Sequence, residues 1–320
     1  MDNNMMISAE ELSAAKEKIQ AIVDNIETVI IGKRASVELV VLALLARGHV
    51  LIEDVPGVGK TSLVSSVAKS VDCQFKRIQF TPDLMPSDVT GFSIYNQGTG
   101  QFEFREGSVM SNLVLADEIN RASAKTQAAL LEAMEERQVT VDSQTHVLEE
   151  PFMVLATQNP IESFGTYPLP DAQIDRFLLK LSMGYPALDE EQKIIHNGKT
   201  AKAQLHAVVS RQDILHLSEL ADRVSVAADV ERYIVEIVAA TRTNPYVILG
   251  ASPRGSISLC TTAKVHALMN GRGYVIPDDV KYMAKPVLGH RITLNNEAKI
   301  KRMTTADILD DILTSVVVPS

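Results

Sequence analysis

The segment Glu53-Asp54-Val55-Pro56-Gly57-Val58-Gly59-Lys60-Thr61 leaves this chain few ways to fold. An apolar run, His49-Val50-Leu51-Ile52, precedes it and reads as a short buried strand. Ser62-Leu63-Val64-Ser65-Ser66-Val67-Ala68-Lys69 follows and reads as a helix. Strand, glycine loop, Gly-Lys-Thr and helix is the context of a phosphate-binding loop. Small residues let successive backbone N–H groups curl around phosphate oxygens, and the helix N-terminus adds partial positive charge. In such a loop Lys60 reaches the β- and γ-phosphates and the Thr61 hydroxyl ligates Mg²⁺. The usual pattern starts with Gly at the position held here by Asp54. Asp tolerates left-handed backbone better than most residues, so the loop is expected to form with it.

A sheet is expected around that strand. Phe75–Phe80, Leu113–Ala116, Phe152–Ala156 and Phe177–Leu181 are short apolar segments. Helical periodicity lies between them, notably over 122–136. Strands alternating with helices predict an α/β core, a five-stranded parallel sheet covered on both faces. Before it, residues 8–31 carry Ile19, Ile22, Val23, Ile26, Val29 and Ile30 on one helical face, and Arg34 to Arg47 reads as a buried helix. Two inserts break the alternation. Residues 91–108 flank Asn96-Gln97-Gly98-Thr99-Gly100 with alternating aromatics, and 138–150 alternate around Asp142-Ser143. Both read as hairpins. Tyr185-Pro186 marks the expected boundary between a core, 1–185, and an all-helical domain, 186–320, with helices over 229–242 and 253–270 and another opening at Pro277.

The candidate chemistry sits at strand ends. Leu113-Val114-Leu115-Ala116-Asp117-Glu118 is a buried strand closing in two carboxylates, where open α/β sheets bind ligands. Asp117 is suited to hold Mg²⁺ and Glu118 to polarise a water against the γ-phosphate. Asn159 either orients that water or caps its strand in an Asn-Pro turn with Pro160. Arg176 either pairs with Asp171 or Asp175, or reaches a neighbouring subunit's γ-phosphate. Arg254 opens a helix whose dipole it does not complement, a local conflict more expected at a functional site. The seven histidines show no metal spacing, and Cys73 and Cys260 form no disulfide framework.

Glu53–Thr61, Leu115–Ala122, Ala156–Pro160, Leu169–Phe177 and Gly250–Arg254 together resemble the MoxR family of AAA+ ATPases. The likeness covers almost the whole chain and extends to relatives with the same inserts, the magnesium-chelatase ATPase subunits and replicative MCM helicases. It implies that Gly57–Thr61 is Walker A and Asp117-Glu118 Walker B. It implies sensor 1 at Asn159, an arginine finger at Arg176 and sensor 2 at Arg254. ATP contacts are implied at Pro56, Gly57, Val58, Gly59, Lys60, Thr61 and Ser62, with adenine near Gly32. Residues 91–108 become the helix-2 insert, 138–150 the pre-sensor-1 hairpin, and the helical domain the AAA+ lid. Gly107-Ser108-Val109-Met110 departs from the Gly-Pro-hydrophobic-Phe run expected after the insert. Arg121 is a further candidate inter-subunit contact.

The resemblance therefore predicts a Mg²⁺-dependent ATPase forming a homo-oligomeric, hexameric ring. It would remodel a protein client or assist metal or cofactor insertion, with a von Willebrand factor A-domain protein as partner. A nucleic-acid motor and a nucleotide-gated scaffold are the alternatives. The formal net charge of −9 disfavours nucleic acid and anionic membrane surfaces. The intact Lys60, Asp117 and Glu118 disfavour the scaffold. A polar, acidic N-terminus and apolar runs far short of the ~20 residues that span a bilayer predict a cytoplasmic protein without direct membrane insertion.

Overall fold

The structure is a computed structural model that describes residues 7–159, 166–197 and 205–319. Val50–Glu53, Phe75–Gln79, Leu113–Asp117, Met153–Gln158 and Leu179–Leu181 form one five-stranded sheet, every neighbouring pair parallel. The strand before the phosphate loop lies between 153–158 and 179–181. Beyond 153–158 come 113–117 and, at the edge, 75–79. Parallel register aligns the strand ends: Glu53 stands beside Gln158, Ala116 beside Ala156, and Gln79 beside Asp117. The candidate residues that follow these strands therefore emerge at one edge.

Successive strand residues point to opposite faces, and here both faces are dry. Val50, Ile52, Leu113, Leu115, Met153 and Leu155 enter one core with the N-terminal helices Ala9–Glu27 and Arg34–Leu45 and the C-terminal helices. Leu51, Val114, Ala116, Val154 and Ala156 enter the other, with Leu130, Leu131 and Met134 of helix Ala124–Glu136. Burial on both sides explains why these strands read as continuous apolar runs.

Several boundaries differ from the periodic reading. The first helix spans Ala9–Glu27, because Ser8 is its cap: the Glu11 amide donates to Ser8 Oγ and the Ser8 amide to the Glu11 carboxylate. The fourth strand runs on to Gln158, and the fifth begins only at Leu179. The region beyond Pro186 is not all-helical. Val247–Leu249 pairs antiparallel with Thr293–Leu294, a ribbon too short to show periodicity.

Two hairpins flank the core, Gly91–Asn96 with Gln101–Glu106 and Gln138–Val141 with Gln144–Val147, the second burying Val139 against it. Asp142 and Ser143 both take positive φ, 48° and 65°, as a tight hairpin turn requires. The hairpins meet where Phe104 stacks on His146, ring centroids 3.8 Å apart. The departure at 107–110 is accommodated by backbone bonds from Ser108 to Asp88 and from Val109 to Val89, 3.1 and 3.0 Å. Gly107 is obligatory there, since a Cβ would lie 2.2 Å from the Val89 carbonyl oxygen.

The C-terminal helices are pinned by Asp279, 1 % exposed, which takes both Arg272 Nη atoms (2.7 and 2.6 Å), His266 Nδ1 (2.6 Å) and the Ile276 amide (2.9 Å). Burial opposes its ionisation, but the hydrogen bonds from Arg272, His266 and Ile276 outweigh that and hold the carboxyl down at about 2. A depressed acid stabilises the fold above its unfolded pKa, and that contribution fades as pH falls through the folded value. We expect about 2 kcal/mol of stability to disappear between about pH 4 and pH 2, and chemical unfolding of Asp279→Asn to lack this component. Equal acid sensitivity in the variant would refute the assignment.

Candidate active site

The phosphate loop is shaped by its glycines. Gly57 and Gly59 have φ of 87° and 92°, a region open to glycine and costly for most residues. Gly59 is the N-cap of helix Lys60–Ser70, so the amides of the first turn face the loop interior. Asp54 is not among the positive-φ residues, which corrects the expectation that it substitutes for glycine through left-handed backbone. Its buried carboxylate instead turns away from the loop. It accepts from Ser182 Oγ at 3.2 Å, from the Gly184 amide at 3.2 Å and from the Met183 amide. The base of the loop is thereby tied to the strand that leads out of the sheet. Lys60 Nζ donates to the Asp54 carbonyl, 3.0 Å.

Opposite the loop, Thr157 organises the acid pair. Its hydroxyl donates to Asp117 Oδ1 (2.6 Å) and accepts the Glu118 amide (2.9 Å). Glu118 takes φ 58°, ψ 49°, a left-handed conformation that a non-glycine residue adopts at a cost. The edge strand supplies polar partners. Arg77 bonds Asp117 Oδ2 through Nη2 (2.5 Å) and Nε (3.1 Å), and Gln79 Nε2 donates to Glu118 Oε2 (2.9 Å). Arg121 Nε also lies 3.1 Å from Glu118 Oε2, so this arginine is engaged within its own chain.

These groups line one cavity of about 360 Å³, within the range of small-molecule sites. Pro56, Gly57, Gly59, Lys60, Thr61 and Ser62 form one wall. Asp117, Glu118, Thr157, Asn159, Arg77 and Gln79 form the other. Val58 does not line it. Asn159 is buried beside the acids; Pro160, its partner in the proposed turn, lies outside the described residues. Gly32 is not at the cavity either. It turns at φ 72°, and the Glu190 carboxylate packs where its Cβ would be. Thr157, Arg77 and Gln79 escaped the sequence reading. The one available signal was that 77 and 79 share a strand face at the end of an edge strand.

The donor set suits Mg²⁺. Thr61 and Asp117 both line the cavity and offer hard oxygens, and Mg²⁺ characteristically takes one or two protein oxygens and completes its shell with phosphate and water.

Arg176 and Arg254 are elsewhere. They line a second cavity of about 310 Å³ together with Arg47, Arg137, Arg291 and Glu135, and no residue borders both cavities. Arg176 pairs with neither Asp171 nor Asp175. Its Nη2 lies 3.0 Å from Glu135 Oε2, and its Nη1 donates to the Leu131 carbonyl at 2.9 Å. Arg254 pairs with the other oxygen of Glu135.

The chain is similar to known proteins over most of its length. The sequence pattern of the ATPase family associated with various cellular activities (AAA) matches residues 49–179, and that of the AAA lid domain matches 239–312. The chain is 42% identical to Chaperone MoxR1 of Mycobacterium tuberculosis over 97% of this chain and 85% of that protein. It is 53% identical to the uncharacterized Bacillus subtilis protein YeaC over 93% of each. A solved Cytophaga hutchinsonii structure, provisionally described as an ATPase, superposes with a TM-score of 0.91 at 41% identity, covering 97% of this chain and 98% of that one. No helix among the described residues is long and apolar enough to cross a membrane.

Proposed function

Since the chain belongs to the MoxR family of AAA+ ATPases, we propose that it hydrolyses ATP as a homo-oligomeric ring and uses the cycle to remodel a protein client. The observation that carries this is the division of the chemistry between two cavities. The first holds the phosphate loop, Lys60, Thr61, Asp117, Glu118 and Asn159. The second holds Arg176 and Arg254. In the first cavity the arginine, Arg77, is ion-paired to Asp117, while Arg176 and Arg254 line the other cavity, away from the subunit's own phosphate loop. Side-by-side subunits complete both.

In this account the loop amides and Lys60 grip the β- and γ-phosphates. Thr61 and Asp117 would hold Mg²⁺, which would supply charge neutralisation to the phosphates. Glu118 accepts a proton from the attacking water, Asn159 orients that water, and Gln79 holds Glu118 in place until the site is engaged. Arg176 and Arg254 stabilise charge developing on the neighbour's phosphate. The residues from about 186 onward form a lid, so that loss of phosphate moves it against the core. Asp54, bonded to Ser182–Gly184, links the loop to the segment that leads into the lid. The family resemblance extends the proposal to action in the cytoplasm, a hexameric ring, and a partner with a von Willebrand factor A domain. The client task would be complex maturation or metal or cofactor insertion.

Sedimentation of Glu118→Gln protein tests the ring. Addition of Mg²⁺ and ATP should shift it from small species to a closed oligomer. A monomer at every nucleotide concentration would overturn the shared-site reading.

A further inference from the structure

The second cavity contains more order than two arginines need for chance proximity. Arg176 belongs to the core, in the turn before strand 179–181, and Arg254 to the helix Pro253–Met269. The oxygens of one carboxylate, Glu135 on helix Ala124–Glu136, each take one of these guanidiniums. A second strut lies beside it. Asp175 accepts from Ser252 Oγ (2.9 Å), the cap of the Arg254 helix, and from Arg291 Nε (2.8 Å). Arg291, its side chain 2 % exposed, also donates to the Phe177 and Leu178 carbonyls at 2.7 and 3.0 Å. Core and helical region are thus joined at the residues flanking each arginine.

Two guanidiniums brought to one point repel unless an anion stands between them. Glu135 is that anion, with each of its oxygens fixing one partner, as oxygens of a phosphate would. We propose that Glu135 is a positioning residue: it holds Arg176 and Arg254 as a pair, so that both meet the neighbouring subunit's phosphates in one docking event. The inference rests on the proposed trans role of these arginines. It adds that their spacing is set by a third residue that never contacts nucleotide. It also makes the pair sensitive to lid position, because Arg254 leaves Glu135 if the helical region moves.

Mixed rings separate the two ideas. Arg176→Ala subunits keep an intact loop and acid pair; Lys60→Ala subunits keep intact arginines. Mixing should restore ATP turnover at the Arg176→Ala sites. Donors carrying Lys60→Ala with Glu135→Gln should restore at least about tenfold less. KM for ATP should not change, since the loop that binds it belongs to the other subunit. Donors with Lys60→Ala and Glu135→Asp, which keep the charge, should recover part of the effect. Gln has nearly the shape of Glu, and thermal melting together with native mass spectrometry confirms folding and ring entry. Equal restoration by the Gln and Glu donors would overturn the positioning role while leaving the trans reading intact. No restoration by the Lys60→Ala donor, in rings shown to be mixed, would overturn both.

Discussion

Arg176→Ala is expected to lower ATP turnover by about a thousandfold or more, with ATP binding preserved. A guanidinium at the transferring phosphoryl group contributes on the order of 10³–10⁵ in rate where it is present, which corresponds to about 4 kcal/mol or more of barrier. The structure shows why binding should survive: Arg176 borders the arginine cavity and has no place in the wall around Lys60 and Thr61. The variant should fold, because this side chain is partly exposed and its loss leaves Glu135 paired with Arg254. Steady-state phosphate release with a parallel nucleotide titration measures the two effects separately. A variant with ordinary turnover would remove Arg176 from the reaction, and one that loses ATP affinity in the monomer would place it in the subunit's own site.

Glu118→Gln is expected to cut turnover by about 10²–10⁴, the usual contribution of a positioned general base. Its left-handed backbone is held by the bond from its own amide to Thr157 Oγ1, which a Gln side chain does not disturb. Gln79 and Arg121 can still donate to the amide oxygen, so the position of the group is conserved while its basicity is lost. Because the phosphate-gripping wall is untouched, the variant should accumulate the ATP-bound state and hold clients that the cycling protein releases. Undiminished phosphate release would exclude Glu118 as the base.

What the sequence made legible was contiguous chemistry. The loop 53–61 carries its own turn-forming glycines and its flanking strand and helix, and Asp117-Glu118 close a strand whose apolar run announces burial. Arg77, Gln79 and Thr157 were hidden because register, and not chain order, sets them beside the acids: Gln79 faces Asp117 although the two are 38 positions apart in the chain. Glu135 looked like one more solvated charge near the end of a helix, and only the approach of Arg176 and Arg254 reveals its two partners. Asp54 was legible as a departure from the usual loop, yet its physical role came from the Ser182–Gly184 backbone, far along the chain. The short ribbon of Val247–Leu249 and Thr293–Leu294 had too few residues to express a period.

The claim on which the rest stands is that the cavity between the loop and the acid pair holds a nucleoside triphosphate. Isothermal titration of the Glu118→Gln protein with ATP in the presence of Mg²⁺ addresses it directly, because binding is then read without turnover. Saturable binding that Lys60→Ala abolishes or severely weakens is the predicted result. Absence of binding by the Glu118→Gln protein, or equal binding when Lys60 is also replaced, would contradict the account.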